Sequence, residues 1–259
     1  MAVIVALLLA CAMPALAGLS PADLKAIAAA PAPNARAPLG LAFTDDTGRA
    51  RTLGEALGAK PAVLIFADYT CHTLCGPILD FTAAALEKTG LRPGSDYRLV
   101  VIGLDPRDGL AAARAMRGER FDSDGSLARA TVFLIGRARA IHAATAALGY
   151  GYRYDAAHDQ YAHPAAAYVL DARGAVTRVL SPLGLDGNDL RLALVAAGKG
   201  HVGTFGDQLR LLCYGYDATR GIYTERITSL LSLAALATVI GLAGAIGFMT
   251  ALARRRSLP

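Results

Sequence analysis

The sequence predicts an α/β domain built on a mixed central sheet, followed by a C-terminal transmembrane helix. Three observations predict it. Short apolar runs alternate with helix-period segments from about residue 41 to 197. That stretch includes two strand-like runs on either side of Asp171-Ala-Arg-Gly174. No charged residue lies between Arg226 and Arg254.

The elements follow in order. Order begins at Leu41 to Phe43, with Asp45-Asp46-Thr47-Gly48 as a turn, and Thr52 to Leu57 reads as a short helix. Pro61 to Ala67 is a continuous apolar run, the pattern of a strand buried on both faces. Ile78 to Thr89 carries Ile78, Leu79, Ala83 and Leu86 at helical spacing and is ended by Gly90. Tyr97 to Leu104 is a second apolar strand, Gly109 to Arg120 a helix, Thr131 to Ile135 a strand, and Arg137 to Leu148 a helix. Gly149 to His163 is a polar, Tyr-rich loop. Ala165 to Leu170 and Ala175 to Leu180 form a hairpin, and Asn188 to Ala197 a closing helix with Asn188 as N-cap.

Hydrophobic residues make up 54% of the 259. Mean hydropathy is +0.39, high for a purely soluble protein. Two terminal segments carry the excess. Residues 1–17 hold an apolar run ending in Ala15-Leu16-Ala17, a signal-peptide cleavage pattern. Leu8-Leu9-Ala10-Cys11 offers the alternative of a lipidated Cys11. Residues 227–253 are long enough to cross a bilayer, at about 40 Å of helix against about 30 Å of hydrocarbon. Arg254-Arg255-Arg256 follows and places the tail 254–259 on the cytoplasmic side. The expected organisation is therefore a signal peptide 1–17, a flexible leader 18–38, a folded domain 39–200 and a juxtamembrane segment 201–226, then the membrane helix and tail. The folded domain would face an extracytoplasmic, oxidising compartment, the periplasm, from the inner membrane. Three of the five net positive charges sit in Arg254–Arg256, leaving +2 for the exported part. That balance is no footprint for nucleic acid.

After removal of Cys11 the chain keeps Cys71, Cys75 and Cys213. An odd number excludes a pure disulfide scaffold and favours chemistry at the close pair. Cys71 and Cys75 stand where a buried strand turns into a helix. At i and i+4 they share one helical face, and a helix N-terminus lowers thiol pKa. Two thiolates suit Cu(I), and an added imidazole lets a site accept Cu(II). A closed zinc site usually needs four ligands in paired short spacings, and only one Cys pair is present. A plain structural disulfide is the bland alternative. The third ligand has to come from elsewhere. His163 precedes Pro164 and a strand, His158 lies in the same loop, His72 points off the cysteine face, His142 sits within a helix, and His201 flanks the last helix. Position alone does not decide among them. Cys213 reads as a small buried residue or as an accessory thiol.

Phe66-Ala-Asp-Tyr-Thr-Cys71-His-Thr-Leu-Cys75-Gly-Pro77 resembles the Y-T-x-C-x-x-x-C-P signature of the Sco/SenC family. Leu104-Asp105-Pro106-Arg107-Asp108 resembles that family's D-P-x-x-D segment. Gln160-Tyr161-Ala162-His163, leading to Tyr168-Val169-Leu170-Asp171 and Gly174, resembles its His-bearing loop and hairpin. The resemblance covers roughly Leu41 to Ala197. It implies a thioredoxin-like fold, with a copper ion bound by Cys71, Cys75 and His163. It further implies a metallochaperone that delivers copper to the copper A subunit of cytochrome c oxidase or a related oxidase, or reduces its cysteines. Other copper chaperones or thiol reductants would be its further partners. Two features depart from the pattern: Gly76 interrupts the Cys-Pro junction, and the anchor is C-terminal. Leu212 to Tyr223 resembles a longer bacterial branch with such a C-terminal helix.

Three other readings compete. Cys71 and Cys75 would serve equally as the redox-active pair of a membrane-anchored thiol-disulfide oxidoreductase. A thiol peroxidase draws only on Thr70-Cys71. A structural assembly factor would hold the pair as an inert disulfide. Asp105 and Asp108 either orient the site or cap the following helix, and the cap is the simpler expectation.

Overall fold

The computed structural model describes residues 19–71, 75–183, 185–198, 214–217, 222–225, 238 and 240. The chain divides into two compact units, Met1–Gly203 and Thr204–Pro259.

In the first unit, α1 (Pro21–Lys25) opens with a capping box between Ser20 and Asp23. A short hairpin follows, β1 (Ala42–Asp45) and β2 (Ala50–Thr52), and α2 (Leu53–Leu57) carries its own capping box, Thr52 with Glu55. Then come β3 (Ala62–Ala67), α3 (Cys75–Lys88), β4 (Arg98–Gly103), α4 (Leu110–Arg120), α5 (Ser126–Ala130), β5 (Thr131–Ile135) and α6 (Ala138–Ala147). A two-stranded ribbon, β6 (Arg153–Asp155) and β7 (Gln160–Ala162), precedes β8 (Ala167–Leu170), β9 (Val176–Leu180) and α7 (Gly187–Ala197).

Seven strands form one mixed sheet in the order β2-β1-β5-β4-β3-β8-β9. β3, β4 and β5 run parallel, while β8 is antiparallel to β3. All six residues of β3 are buried, as expected for a central strand covered on both faces. Alternation sends Leu64 and Phe66 to one face, into a core with Val100, Ile102, Leu53 of α2 and Ile141 of α6. Helices α3 and α7 pack on each other, and α7 also covers β8 and β9.

The topology fixes where chemistry can occur. The turns after β3 and β4 leave the sheet at the carboxyl ends of parallel strands, where α/β sheets bind ligands. Because β8 is antiparallel and Ala167 pairs with Ile65, the residues just before β8 emerge at the same edge. His163 is therefore delivered to the end of the sheet that carries Cys71.

Several elements differ from expectation. Cys75, not Ile78, is the first residue of α3, and Asp186 rather than Asn188 caps α7, accepting the Asn188 N–H. The turn at Asp45–Gly48 joins two strands, β1 and β2, that were not anticipated as strands; helix α5 and ribbon β6–β7 were not anticipated either. The leader expected to be flexible over 18–38 is structured from Leu19 onward. It bridges Ala29 to Tyr150 and Arg36 to Ala175 through the backbone, and it buries Ala37. Gly151 makes that docking possible. Its N–H donates to Ala28 O at 2.8 Å, and a Cβ there would lie 1.9 Å from Ala26 O. Gly151→Ala is expected to peel the segment away at a cost of about 1–3 kcal/mol, read as a lowered Tm and new protease cleavage near residues 26–30.

The second unit contributes an antiparallel pair, β10 (Tyr214–Asp217) and β11 (Ile222–Glu225). The expected signal peptide 1–17, with Cys11, and also His72, His201, Cys213 and the expected tail 254–259 lie outside the described residues. So does the expected membrane span 227–253, apart from Thr238 and Ile240, which are helical. Among the described residues no helix is long and apolar enough to cross a membrane.

Candidate metal and redox site

Cys71 ends the turn that leaves β3. It is buried, and its N–H donates to Asp68 O at 3.2 Å. Asp68 is fully buried directly after the strand, and its Oδ1 accepts both the Thr70 N–H (3.1 Å) and the Thr70 hydroxyl (3.0 Å). This Asx turn presents Cys71. Cys75, described by its backbone alone, opens the 14-residue helix α3. That helix's N-terminal partial charge favours thiolate in its first turn.

Tyr69 anchors the turn from below. Its hydroxyl lies 3.0 Å from Val101 O and 2.9 Å from Leu134 O, and its N–H donates to Asp108 Oδ2 at 3.2 Å. Gly103 is required by this packing, since a Cβ there would stand 2.8 Å from the Tyr69 ring.

His163 stands on the other side of the site, partly buried. Its Nδ1 is 2.8 Å from the Tyr150 hydroxyl and 3.2 Å from Pro164 O, and the Tyr150 hydroxyl also reaches Pro164 O at 3.0 Å. A carbonyl only accepts, so all three contacts are satisfied together when Nδ1 carries the proton and the tyrosine donates to Pro164. Nε2 then carries the ring lone pair, the arrangement a metal-ligating histidine needs. Burial holds the His163 pKa below the ordinary histidine value; the Pro164 carbonyl and the charges of Cys71 and Asp68 act in the opposite direction. Burial thus favours the neutral imidazole, which lies within electrostatic reach of Cys71.

Tyr150 is placed by the end of α6. Gly149, at φ +60°, reverses the chain, and the Tyr150 N–H donates to Thr145 O at 2.9 Å. The Tyr150 ring packs 4.5 Å from Phe66 and 6.1 Å from Tyr168.

The described histidines differ in their surroundings. His163 is partly buried at the sheet end that carries Cys71; His158 is exposed and bound to Asp155 at 2.7 Å; His142 is exposed on α6. Asp105 and Asp108 are not helix caps, because α4 is capped at Gly109 without a side-chain bond. Asp105 instead binds Arg107 (2.6 Å), which continues to Asp159 (2.8 Å) and lies over the Tyr154 ring. These groups border a cleft of about 670 Å³ beside Thr70. Gly76, the departure from the Cys-Pro junction, has the Arg120 guanidinium against it; a Cβ there would meet Arg120 Cζ at 2.4 Å. Asp68 and Tyr150 were missed from sequence. The only trace of Asp68 is an acidic residue closing an all-apolar strand two residues before Thr70.

Burial and the charges of Asp68 and Asp105 push Asp108 up to about 6. Its protonated form is the one the fold favours. Its contribution to stability is thus present at pH 4 and is lost as pH rises through 6. The shift from 3.8 corresponds to about 3 kcal/mol at most, reduced by solvent screening to about 1 kcal/mol. Asp108→Asn keeps an acceptor for Tyr69 N–H. It is expected to gain about 1 kcal/mol above pH 7 and nothing at pH 4, as read by denaturation across that range.

No family model matches the sequence, and no curated protein matches it. Solved structures do. A candidate electron transfer protein of Aquifex aeolicus VF5 superposes with TM-score 0.58 at 19% identity, covering 68% of this chain and 98% of its own. BsSco, a member of the Sco family of cytochrome c oxidase assembly proteins in which a disulfide switch was identified, gives 0.53 at 17%, covering 64% and 94%. Arabidopsis thaliana ScoI with copper bound gives 0.51 at 21%, covering 61% and 97%. The first unit of this chain thus has the thioredoxin-like α/β fold of the Sco proteins.

Proposed function

We propose that the chain is a Sco/SenC-type copper chaperone. Its cargo copper is held by the thiolates of Cys71 and Cys75 and by His163 Nε2, and is handed to the copper A site of a cytochrome c oxidase. The observation that carries this reading is His163, held through Nδ1 by Tyr150 and Pro164 at the sheet end that carries buried Cys71. Disulfide exchange does not require an imidazole presented in this way, whereas a copper site does. The donor set of soft thiolates and one imidazole fits copper in either oxidation state. Copper in the Arabidopsis neighbour and the assembly role of BsSco's family support the same reading, as do the three motifs of the sequence.

The signal-peptide pattern and the apolar stretch 227–253 support a single-pass protein of the inner membrane, with its folded domain in the periplasm. There the cargo would meet the oxidase, upstream copper carriers and thiol reductants.

A second reading is favoured by Cys75 opening a long helix. A Cys71 or Cys75 thiolate would attack a client disulfide, and the second thiol would resolve the mixed disulfide. The client then gains two thiols while the chain is left with a Cys71–Cys75 disulfide. One experiment separates the two. The reduced, Cu(I)-loaded full-length chain is mixed with a metal-free copper A domain supplied in thiol or disulfide form, and the partners are re-isolated. Copper moving to the thiol form supports the chaperone. Thiols appearing in the disulfide form without copper movement support the reductase. Neither event would contradict both.

A further inference from the structure

The two oxygens of one fully buried carboxylate hold the two halves of the site together. Asp68 Oδ1 accepts the Thr70 N–H and hydroxyl, fixing the turn that carries Cys71. Oδ2 accepts the N–H of Tyr161 at 2.7 Å, across 93 residues of sequence and two residues before His163. A bond lost here would leave the fully buried Asp68 carboxylate short of a donor, so the turn and the ribbon β6–β7 resist moving independently. The turn after β4 also reaches this ribbon through Arg107, which pairs with Asp159 and lies over the Tyr154 ring, but these side chains are exposed and contribute little holding energy.

We propose that Asp68 is a positioning residue that locks the Cys71 turn to the His163 ribbon, so that a change of state at Cys71 is felt at His163. Capture of metal or oxidation of the cysteines would shift the turn, and Asp68 would pass that shift to Tyr161 and the residues that follow. The metal arm of this inference rests on the copper reading; the oxidation arm does not.

The test uses the full-length chain in detergent and its Asp68→Asn variant. Asparagine keeps one acceptor oxygen, so it can serve one segment but not both. Hydrogen exchange of the peptide containing Tyr161 is measured with the thiols reduced, and again after diamide has taken two electrons and two protons from Cys71 and Cys75. The wild type is expected to exchange at different rates in the two states. Asp68→Asn is expected to exchange rapidly in both; a merely structural role would raise both rates and preserve their difference. In parallel, Cu(I) affinity is measured by chelator competition. Asp68→Asn is expected to bind about 10–100-fold more weakly. In a His163→Ala background the same change should cost clearly less than in wild type, because one of the two segments that Asp68 ties together no longer carries a ligand.

An undiminished oxidation response in Asp68→Asn, or a copper loss that adds in full to that of His163→Ala, would overturn the proposal. A wild-type chain that takes up no copper would sink the copper reading while leaving the exchange arm to decide. If Asp68→Asn does not fold, the wild type alone still decides against the coupling when its Tyr161 exchange ignores oxidation.

Discussion

Replacing His163 with alanine is expected to weaken copper binding by at least about 100-fold, since loss of outer partners alone commonly costs 10–100-fold. Disulfide exchange with a small-molecule thiol should stay within about two-fold of wild type, because Cys71 and its Asx turn are held by Asp68 and Tyr69 rather than by the imidazole. Chelator competition and thiol-exchange kinetics on the same preparations check both halves. Equal losses in both assays would show that His163 serves the thiols and not a metal.

The second large effect belongs to Phe66. It is 1% exposed on the central strand and packs 4.5 Å from Tyr150 and 6.3 Å from Tyr168. Phe66→Ala leaves a cavity under the tyrosine that hydrogen-bonds His163, and is expected to cost about 3–5 kcal/mol. For a domain of this size that lowers Tm by roughly 10 °C. Copper affinity should fall as well, although Phe66 touches no proposed ligand. A Tm drop with unchanged affinity would show that Tyr150 does not transmit packing to the site.

The sequence made the centre of the fold legible because β3 and β4 are buried on both faces. An unbroken apolar run such as Val63-Leu64-Ile65-Phe66 has few other solutions. Helices α4, α6 and α7 were legible from their period. Of the hairpin β1–β2 only the onset of order at Leu41 to Phe43 and the turn were legible, because Ala50-Arg51-Thr52 is short, partly exposed and without alternation. Helix α5, at five residues, is too short to show a period. The leader misled because its Ala and Pro composition reads as unstructured, whereas it docks through backbone bonds that leave no side-chain signature.

The site divides in the same way. Cys71 and Cys75 were legible because their spacing and the strand-to-helix junction are local. The placement of His163 at the Cys71 end of the sheet had no local signal beyond the family resemblance, since it depends on β8 running antiparallel to β3 and starting opposite Ile65. Tyr150 and Asp68 act across 13 and 93 residues, and no local pattern encodes such partners.

The central claim is a three-coordinate cargo site made of two thiolates and one imidazole. X-ray absorption at the copper edge of the Cu(I)-loaded full-length chain tests it most directly. The account predicts two sulfur neighbours and one imidazole nitrogen in wild type, with the nitrogen lost in His163→Ala and a sulfur lost in Cys71→Ser. A wild-type spectrum without an imidazole contribution, or one unchanged by His163→Ala, would contradict it.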